Sequence, residues 1–303
     1  MGEVSIVGVP SSAGSYAAGQ EQAPAALRSA GLIDALRVEG LQVHDEGDLP
    51  LQVWRPDRIN PRAQNASQVT ESVRELIERL VPLFARGDTV LVLGGNCTVA
   101  LGVAAALQRV ATDPIGLLYV DRNYDINTPD STSDGALDWM GMAHALSLPG
   151  CLDELANSLG PRPLLEPNQV AWLGVEDRFA TDWERDQAQR LELRVVLSEA
   201  FALDPATSAT ESLDLLPSGP LALHLDVDVL DFTDAPLAEN TDGRNSGPTL
   251  EQTAAALRIA ARDQRFRAMS IGELNPTRST GDPDAISRFV TTIASVMAAT
   301  RGQ

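Results

Sequence analysis

Lysine is absent from this chain; all 23 basic residues are arginine. That excludes a Schiff-base lysine, a pyridoxal phosphate anchor and a phosphate-loop lysine. Histidine is scarce. His44, His144 and His224 are the full set, and their spacing gives no support to a three-histidine zinc site. The two cysteines, Cys97 and Cys151, cannot build a disulfide framework, and a reducing cytoplasm is the expected setting. The opening residues MGEVSIVGVP lack the basic-then-apolar pattern of a secretory signal, and no apolar run is long enough to cross a bilayer. Asn65-Ala-Ser67 and Asn96-Cys-Thr98 match the glycosylation pattern, but without a signal both read as chance.

Positive charge is in short supply as well. The formal net charge is -19. A nucleic-acid binder needs cations to displace counterions from phosphate, and an anionic membrane surface repels such a chain for the same reason. A small cationic substrate would be attracted. Acidity taken alone serves solubility equally well.

What is present is apolar material in short blocks. With 303 residues and 44% hydrophobic content, the chain can bury one large core or two small ones. Strands are expected at Val4–Val9, Val90–Leu93, Gly116–Val120, Val170–Leu173, Arg194–Leu197, Leu221–Val227 and Ala268–Ile271. Most are continuously apolar, as parallel strands covered on both faces should be. Helical patterns lie between them. Pro24 opens one that runs to Leu36, a tolerated first-turn proline. Asn65 with Gln68, and Thr249 with Gln252, read as capping boxes before helices reaching Phe84 and Ala261; a last helix spans about Asp284 to Ala298. The alternation predicts a three-layer α/β/α sandwich with right-handed crossovers. Leu51–Asn65 and Phe232–Pro248, rich in Pro, Asp, Asn and Gly, read as long loops, so residues 1–303 are expected to form a single domain.

In such sheets ligands bind beyond the carboxyl ends of the strands. Leu91-Val-Leu-Gly-Gly-Asn-Cys97 places Cys97 at a helix start, where the dipole favours thiolate; a small buried residue is the plainer reading. Asp121-Arg-Asn-Tyr-Asp125 in extended backbone aligns Asp121, Asn123 and Asp125 on one face, with Arg122 and Tyr124 on the other, though such exits are commonly turns. His224-Leu-Asp226-Val-Asp228 puts two carboxylates on one face of a buried strand. Buried carboxylates this close call for a divalent metal, and oxygen donors suit Mn or Mg better than zinc. Glu273, in Ser270-Ile-Gly-Glu273-Leu-Asn-Pro, is placed either to pair with a guanidinium or to cap a turn.

These segments, in this order, resemble the ureohydrolase family of arginases, agmatinases and formiminoglutamases. Gly19-Gln-Glu21-Gln-Ala-Pro24, Asp45-Glu-Gly-Asp48 and Trp172-Leu-Gly-Val-Glu-Asp177 resemble further family segments, so the likeness spans nearly the whole chain. The resemblance implies an α/β/α sandwich around a mostly parallel sheet of about eight strands. It implies two manganese ions sharing a hydroxide that attacks a guanidinium or amidine carbon. The family's metal-ligand positions fall on Cys97, Asp121, Asn123, Asp125, Asp226 and Asp228. Its guanidinium-gripping glutamate falls on Glu273, and its Asn-Thr-Pro contact to a substrate carboxylate on Asn127-Thr128-Pro129. Gly94-Gly-Asn-Cys97 and Leu137-Asp138-Trp-Met140 are similar to a bacterial branch.

The departures are specific. Both metal-ligating histidines are replaced, by Cys97 and Asn123; the mobile catalytic histidine falls at Asp138, a substrate-contacting serine at Asp134, and a second acidic contact near Phe179. With Cys97 as thiolate, the inner charge is about five negatives against four positives from two divalent ions, which still favours metal. The leading expectation is a manganese-dependent C–N hydrolase of a guanidino or amidino compound. In it Asp121, Asp125, Asp226 and Asp228 hold metal, Cys97 and Asn123 assist, Asp125 also serves the chemistry, and Asp138 shuttles protons. Asn127, Asp134 and Glu273 would contact a small cationic substrate. One manganese, two or none are open, as is a homo-oligomer. The alternatives are a repurposed enzyme with one metal or none, and an inactive binding or regulatory protein on the same scaffold. Arg122 discriminates, because an arginine inside the site would replace a metal.

Overall fold

Alternate side chains of each strand feed two separate apolar layers, and the sheet lies between them. In β3 (Thr89–Leu93), Leu91 and Leu93 join one layer while Val90 and Val92 join the other. In β4 (Gly116–Val120), Leu118 and Val120 face one way and Leu117 and Tyr119 the other. Both faces are covered, which is why these strands are apolar throughout. The computed structural model describes residues 3–239 and 245–302.

The other strands are β1 (Glu3–Gly8), β2 (Gln42–Asp48), β5 (Val170–Val175), β6 (Arg194–Leu197), β7 (Leu221–Asp226) and β8 (Phe266–Gly272). All eight pair in parallel, in the order β2-β1-β3-β8-β7-β4-β5-β6. The α/β/α sandwich expected from the sequence is therefore the observed fold. Seven strands were expected by position; β2 was not. It is an edge strand of sequence QVHDEGD with no fully buried residue, so it carries no apolar run.

Helices α1 (Ala23–Ser29), α2 (Leu32–Val38), α8 (Ser198–Leu203), α9 (Pro205–Leu215), α10 (Leu250–Arg262) and α11 (Ala285–Ala298) cover one face. Helices α3 (Ala66–Arg86), α4 (Val99–Val110), α5 (Gly141–Ala145), α6 (Asp153–Leu159) and α7 (Asp182–Arg190) cover the other. Two helix expectations need correction. The helix expected from Pro24 to Leu36 is broken in two by Gly31, whose φ of 87° is a left-handed conformation that ends α1. The capping box expected at Asn65 and Gln68 does not form. Asn65 is itself left-handed, and its amide donates to the carbonyls of Ala13 and Arg55, tying down the long loop instead. The box at Thr249 and Gln252 forms in full. Residues 240–244 of the expected 232–248 loop lie outside the described residues. Among the described residues no helix is long and apolar enough to cross a membrane.

His144 belongs to the core. It is fully enclosed in α5, with Nδ1 2.7 Å from the Met140 carbonyl and Nε2 accepting from the Leu152 amide at 3.0 Å. That pairing uses one donor and one acceptor, the inventory of a neutral imidazole. Burial pushes its pKa down from 6.5 to about 4. The unfolded chain takes up this proton near pH 6.5, so stability from His144 is complete above that pH and lost as pH falls toward 4. An imidazole chemical-shift titration should show His144 neutral down to about pH 4. Thr249→Ala should lower the unfolding free energy by about 1 kcal/mol in chemical denaturation. Gln68→Ala, at the box that does not form, should leave it unchanged.

Candidate functional site

Four neighbouring strands, β3, β8, β7 and β4, end side by side, and their exits supply the chemistry. After β3 the chain turns through Gly94 and Gly95. A Cβ on Gly95 would lie 1.7 Å from the Ser11 carbonyl, so the turn requires glycine. The turn delivers Cys97, whose backbone N–H donates to Asp138 Oδ1 at 2.7 Å and whose Sγ donates to Asp226 Oδ2 at 2.9 Å. The sequence offered a thiolate at a helix start or, more plainly, a small buried residue, and Cys97 is 2% exposed. Burial, then the neighbouring Asp226 carboxylate, pushes its pKa well up, so here it is a thiol donor. One helix terminus does not outweigh that many carboxylates.

The exits of β4 and β7 share one local device. Asp121 Oδ1 accepts from the Asn123 amide at 2.6 Å, and Asp226 Oδ1 accepts from the Asp228 amide at 2.7 Å. Each aspartate thus caps the turn two residues on, and the strands stop at Val120 and Asp226. The expectation that residues 121, 123 and 125 alternate along extended backbone is corrected, as is the extension of β7 to Val227. Asp125 has a φ of 55°, and its Oδ2 accepts from the Tyr119 hydroxyl at 2.5 Å. Once the chain has turned, Arg122 no longer faces away. Its Nε lies 2.9 Å from Asp228 Oδ2, both side chains being 2% exposed, and the Asn123 side-chain Nδ2 donates to the same oxygen at 3.1 Å. Tyr124 does turn away, donating to Asp177.

Glu273, after β8, also has a positive φ, 64°. Its backbone is pinned by the Gly95 and Glu239 main chains, and Oε1 accepts from Gln20 Nε2 at 2.6 Å. Gln20 was not among the expected site residues. Its only signal was its place between Gly19 and Glu21 in the segment that resembles the family. Burial, then the facing Asp138, pushes the Glu273 pKa well up, and burial raises Asp138 as well. Burial followed by carboxylate crowding likewise raises Asp121 and Asp226; burial dominates at Asp125.

These groups surround a cavity of about 200 Å³. Asp125, Asp134, Asp138, Asp226, Asp228 and Glu273 reach its wall, as do Cys97 and Asn123; among the described residues lining it, Arg122 is the only basic one. Asp134 sits at the exposed end, accepting from the Trp139 indole and the Ala136 amide. Asn127 does not reach the cavity, contrary to expectation. It is fully buried, with Oδ1 accepting from the hydroxyls of Ser131 and Thr181. The aromatic lining by Tyr16, Trp139 and Phe179 was not anticipated as a group.

Whether a metal fits differs between the two halves of the cluster. Ligand atoms of Cys97, Asp121 and Asp226 lie within 4.8 Å of one another, all buried, and Asp121 Oδ2 has no hydrogen-bond partner among the described residues. A buried carboxylate oxygen left so is costly, and one divalent cation bound by these donors would satisfy it. On the other half, Asp228 Oδ2 is held by Arg122 and Asn123, which leaves it less free to take a second cation; ligand atoms of Cys97, Asp138 and Glu273 also lie within 4.8 Å of one another.

Comparison with known proteins agrees with this architecture. The model of the Arginase family matches residues 2–299. An arginase of Bacillus caldovelox is 27% identical over 284 residues, covering 91% of this chain and 92% of its own. Human Arginase-1 is 27% identical over 306 residues, covering 99% and 92%. The solved structure of the Bacillus caldovelox arginase superposes with a TM-score of 0.85 at 24% identity, over 100% of this chain and 99% of that one. From its fold, the order of its motifs and the family match over nearly its full length, the chain belongs to the arginase family.

Proposed function

We propose that this protein hydrolyses a C–N bond of a small guanidino or amidino compound, with no more than one divalent cation, manganese by family analogy, in its site. The observation that supports it is the buried triad of Cys97, Asp121 and Asp226, with an unpartnered Asp121 oxygen beside a carboxylate-lined cavity. When bound there, such a cation supplies Lewis acidity.

The chain's own groups do the rest. Glu273, aimed by Gln20, receives the flat cationic head of the substrate through paired hydrogen bonds. Asp138 faces Glu273 and is anchored by the Cys97 amide, placing a carboxyl group where a leaving amine can take a proton. Asp125, oriented by Tyr119, adds negative charge near the reacting carbon. Arg122 neutralises Asp228 permanently, doing by a fixed guanidinium what a second ion would do elsewhere in the family. The same ion pair favours a second reading, a repurposed enzyme that works without metal.

Metal analysis separates the two. Purified protein stripped by chelator and reloaded with Mn2+ should retain about one ion per chain by plasma mass spectrometry. The double variant Arg122→Ala/Asn123→His should retain about two, since it frees Asp228 and restores an imidazole donor. No retained ion in the wild type would discard the hydrolytic reading and leave the metal-free one. Glu273→Gln should keep the ion while kcat/KM for urea release falls by roughly 100-fold, the loss of about 3 kcal/mol expected when a buried charge pair loses one partner.

A further inference from the structure

Cys97 Sγ is, among the described residues, the donor atom common to two buried triads. Its neighbours in one are Asp121 and Asp226, in the other Asp138 and Glu273, and the ligand atoms of each triad lie within 4.8 Å of one another. All five residues are buried, and neither triad contains a histidine. A cation entering either triad therefore meets sulfur together with carboxylate oxygen.

The sulfur is held in place from three sides. The Cys97 backbone N–H is tied to Asp138 Oδ1 at 2.7 Å, and Sγ donates to Asp226 Oδ2 at 2.9 Å. Gly272, the last residue of β8, supplies the room, since a Cβ there would lie 2.7 Å from Sγ and 3.0 Å from the His224 ring. Asp121 is fully buried; its Oδ1 accepts from the Asn123 amide, and its Oδ2 has no hydrogen-bond partner among the described residues. The triad thus joins a fixed sulfur to a buried anionic oxygen that lacks a positive neighbour. Donor softness then decides which ion suits it. Carboxylate and carbonyl oxygens suit magnesium and manganese, whereas a thiolate selects zinc and other thiophilic ions. Later first-row ions bind most sites more tightly than manganese, so preference alone is not diagnostic; the mark of sulfur is a preference that depends on Cys97. Binding breaks the S–H bond, the sulfur electron pair goes to the metal, and the proton leaves to solvent.

We propose that Cys97 binds metal as a thiolate and makes this a site for one thiophilic divalent ion, zinc before manganese. The proposal rests on the reading that one divalent cation binds among these carboxylates, and goes beyond it in naming the ion. Manganese offered alone still binds; zinc displaces it. Catalytic turnover is not required.

Spectroscopy on the full-length protein tests it. The chain is kept reduced with a phosphine and loaded with one equivalent of Co2+ or Zn2+. Bound cobalt should give a near-ultraviolet sulfur-to-metal charge-transfer band, and X-ray absorption at the zinc edge should fit one sulfur at about 2.3 Å. Both cysteines are free thiols. Cys151→Ser should keep both signals, and Cys97→Ser should lose both. In competition titrations Cys97→Ser should lower the ratio of zinc to manganese affinity by about tenfold or more. Bound metal without sulfur in the wild type overturns the proposal, and that spectrum decides even where a variant fails to fold. A band that vanishes with Cys151 overturns it too, as does an affinity ratio unchanged in Cys97→Ser. An ion retained without sulfur leaves the one-cation reading standing. Sulfur ligation without urea release from any guanidino compound leaves the proposal standing and removes the hydrolytic reading. No retained ion removes both.

Discussion

The ion pair between Arg122 and Asp228 is the constraint on which the site depends. Several carboxylates converge on one small buried volume, and without a counter-charge they would have to bind protons or push apart. Arg122 is a counter-charge that cannot dissociate and cannot lose its proton. Removing either partner would leave the other charge buried without its nearest counterpart, which is why the pair is as much structural as chemical. Its guanidinium also stacks on Phe179, joining the inner, charged half of the cavity to the outer, aromatic half.

This arrangement changes what membership of the arginase family implies here. The fold is shared over nearly the whole length. On the reading proposed above, four carboxylates keep the positions that the family resemblance implies, while the fixed guanidinium of Arg122 on Asp228 does the work of a second ion. Arg122 and Asn123 then act together, because both hold the same Asp228 oxygen.

Most of the fold was legible because it rests on periodicity. Strands β3, β4, β5 and β7 are covered on both faces, and their unbroken apolar runs say so. Edge strand β2 was silent because an edge need not be apolar. The helix boundary at Gly31 and the missing cap at Asn65 depend on left-handed backbone, which composition does not reveal. In the site, residue identities were readable from motif order, but directions were not. The alternation rule put Arg122 outside, and it failed because Asp121 and Asp226 each cap their own amide two residues on and end the strand early. Gln20 and the aromatic wall were hidden for a different reason, since they come from distant parts of the chain and meet only in three dimensions.

The order of strands carries one more consequence. β8, the last strand to be made, lies between β3 and β7, and the two halves of the sheet, β2-β1-β3 and β7-β4-β5-β6, are joined only through it. During synthesis each half can pair internally from nearby segments, but Glu273 and its partner Gln20, 253 residues apart, cannot meet until the final strand is inserted. Contacts so distant in sequence make closure the slow event of folding. A chain still being made therefore has no working pocket, and its carboxylates gain the complete cavity only after β8 has locked both halves of the sheet together.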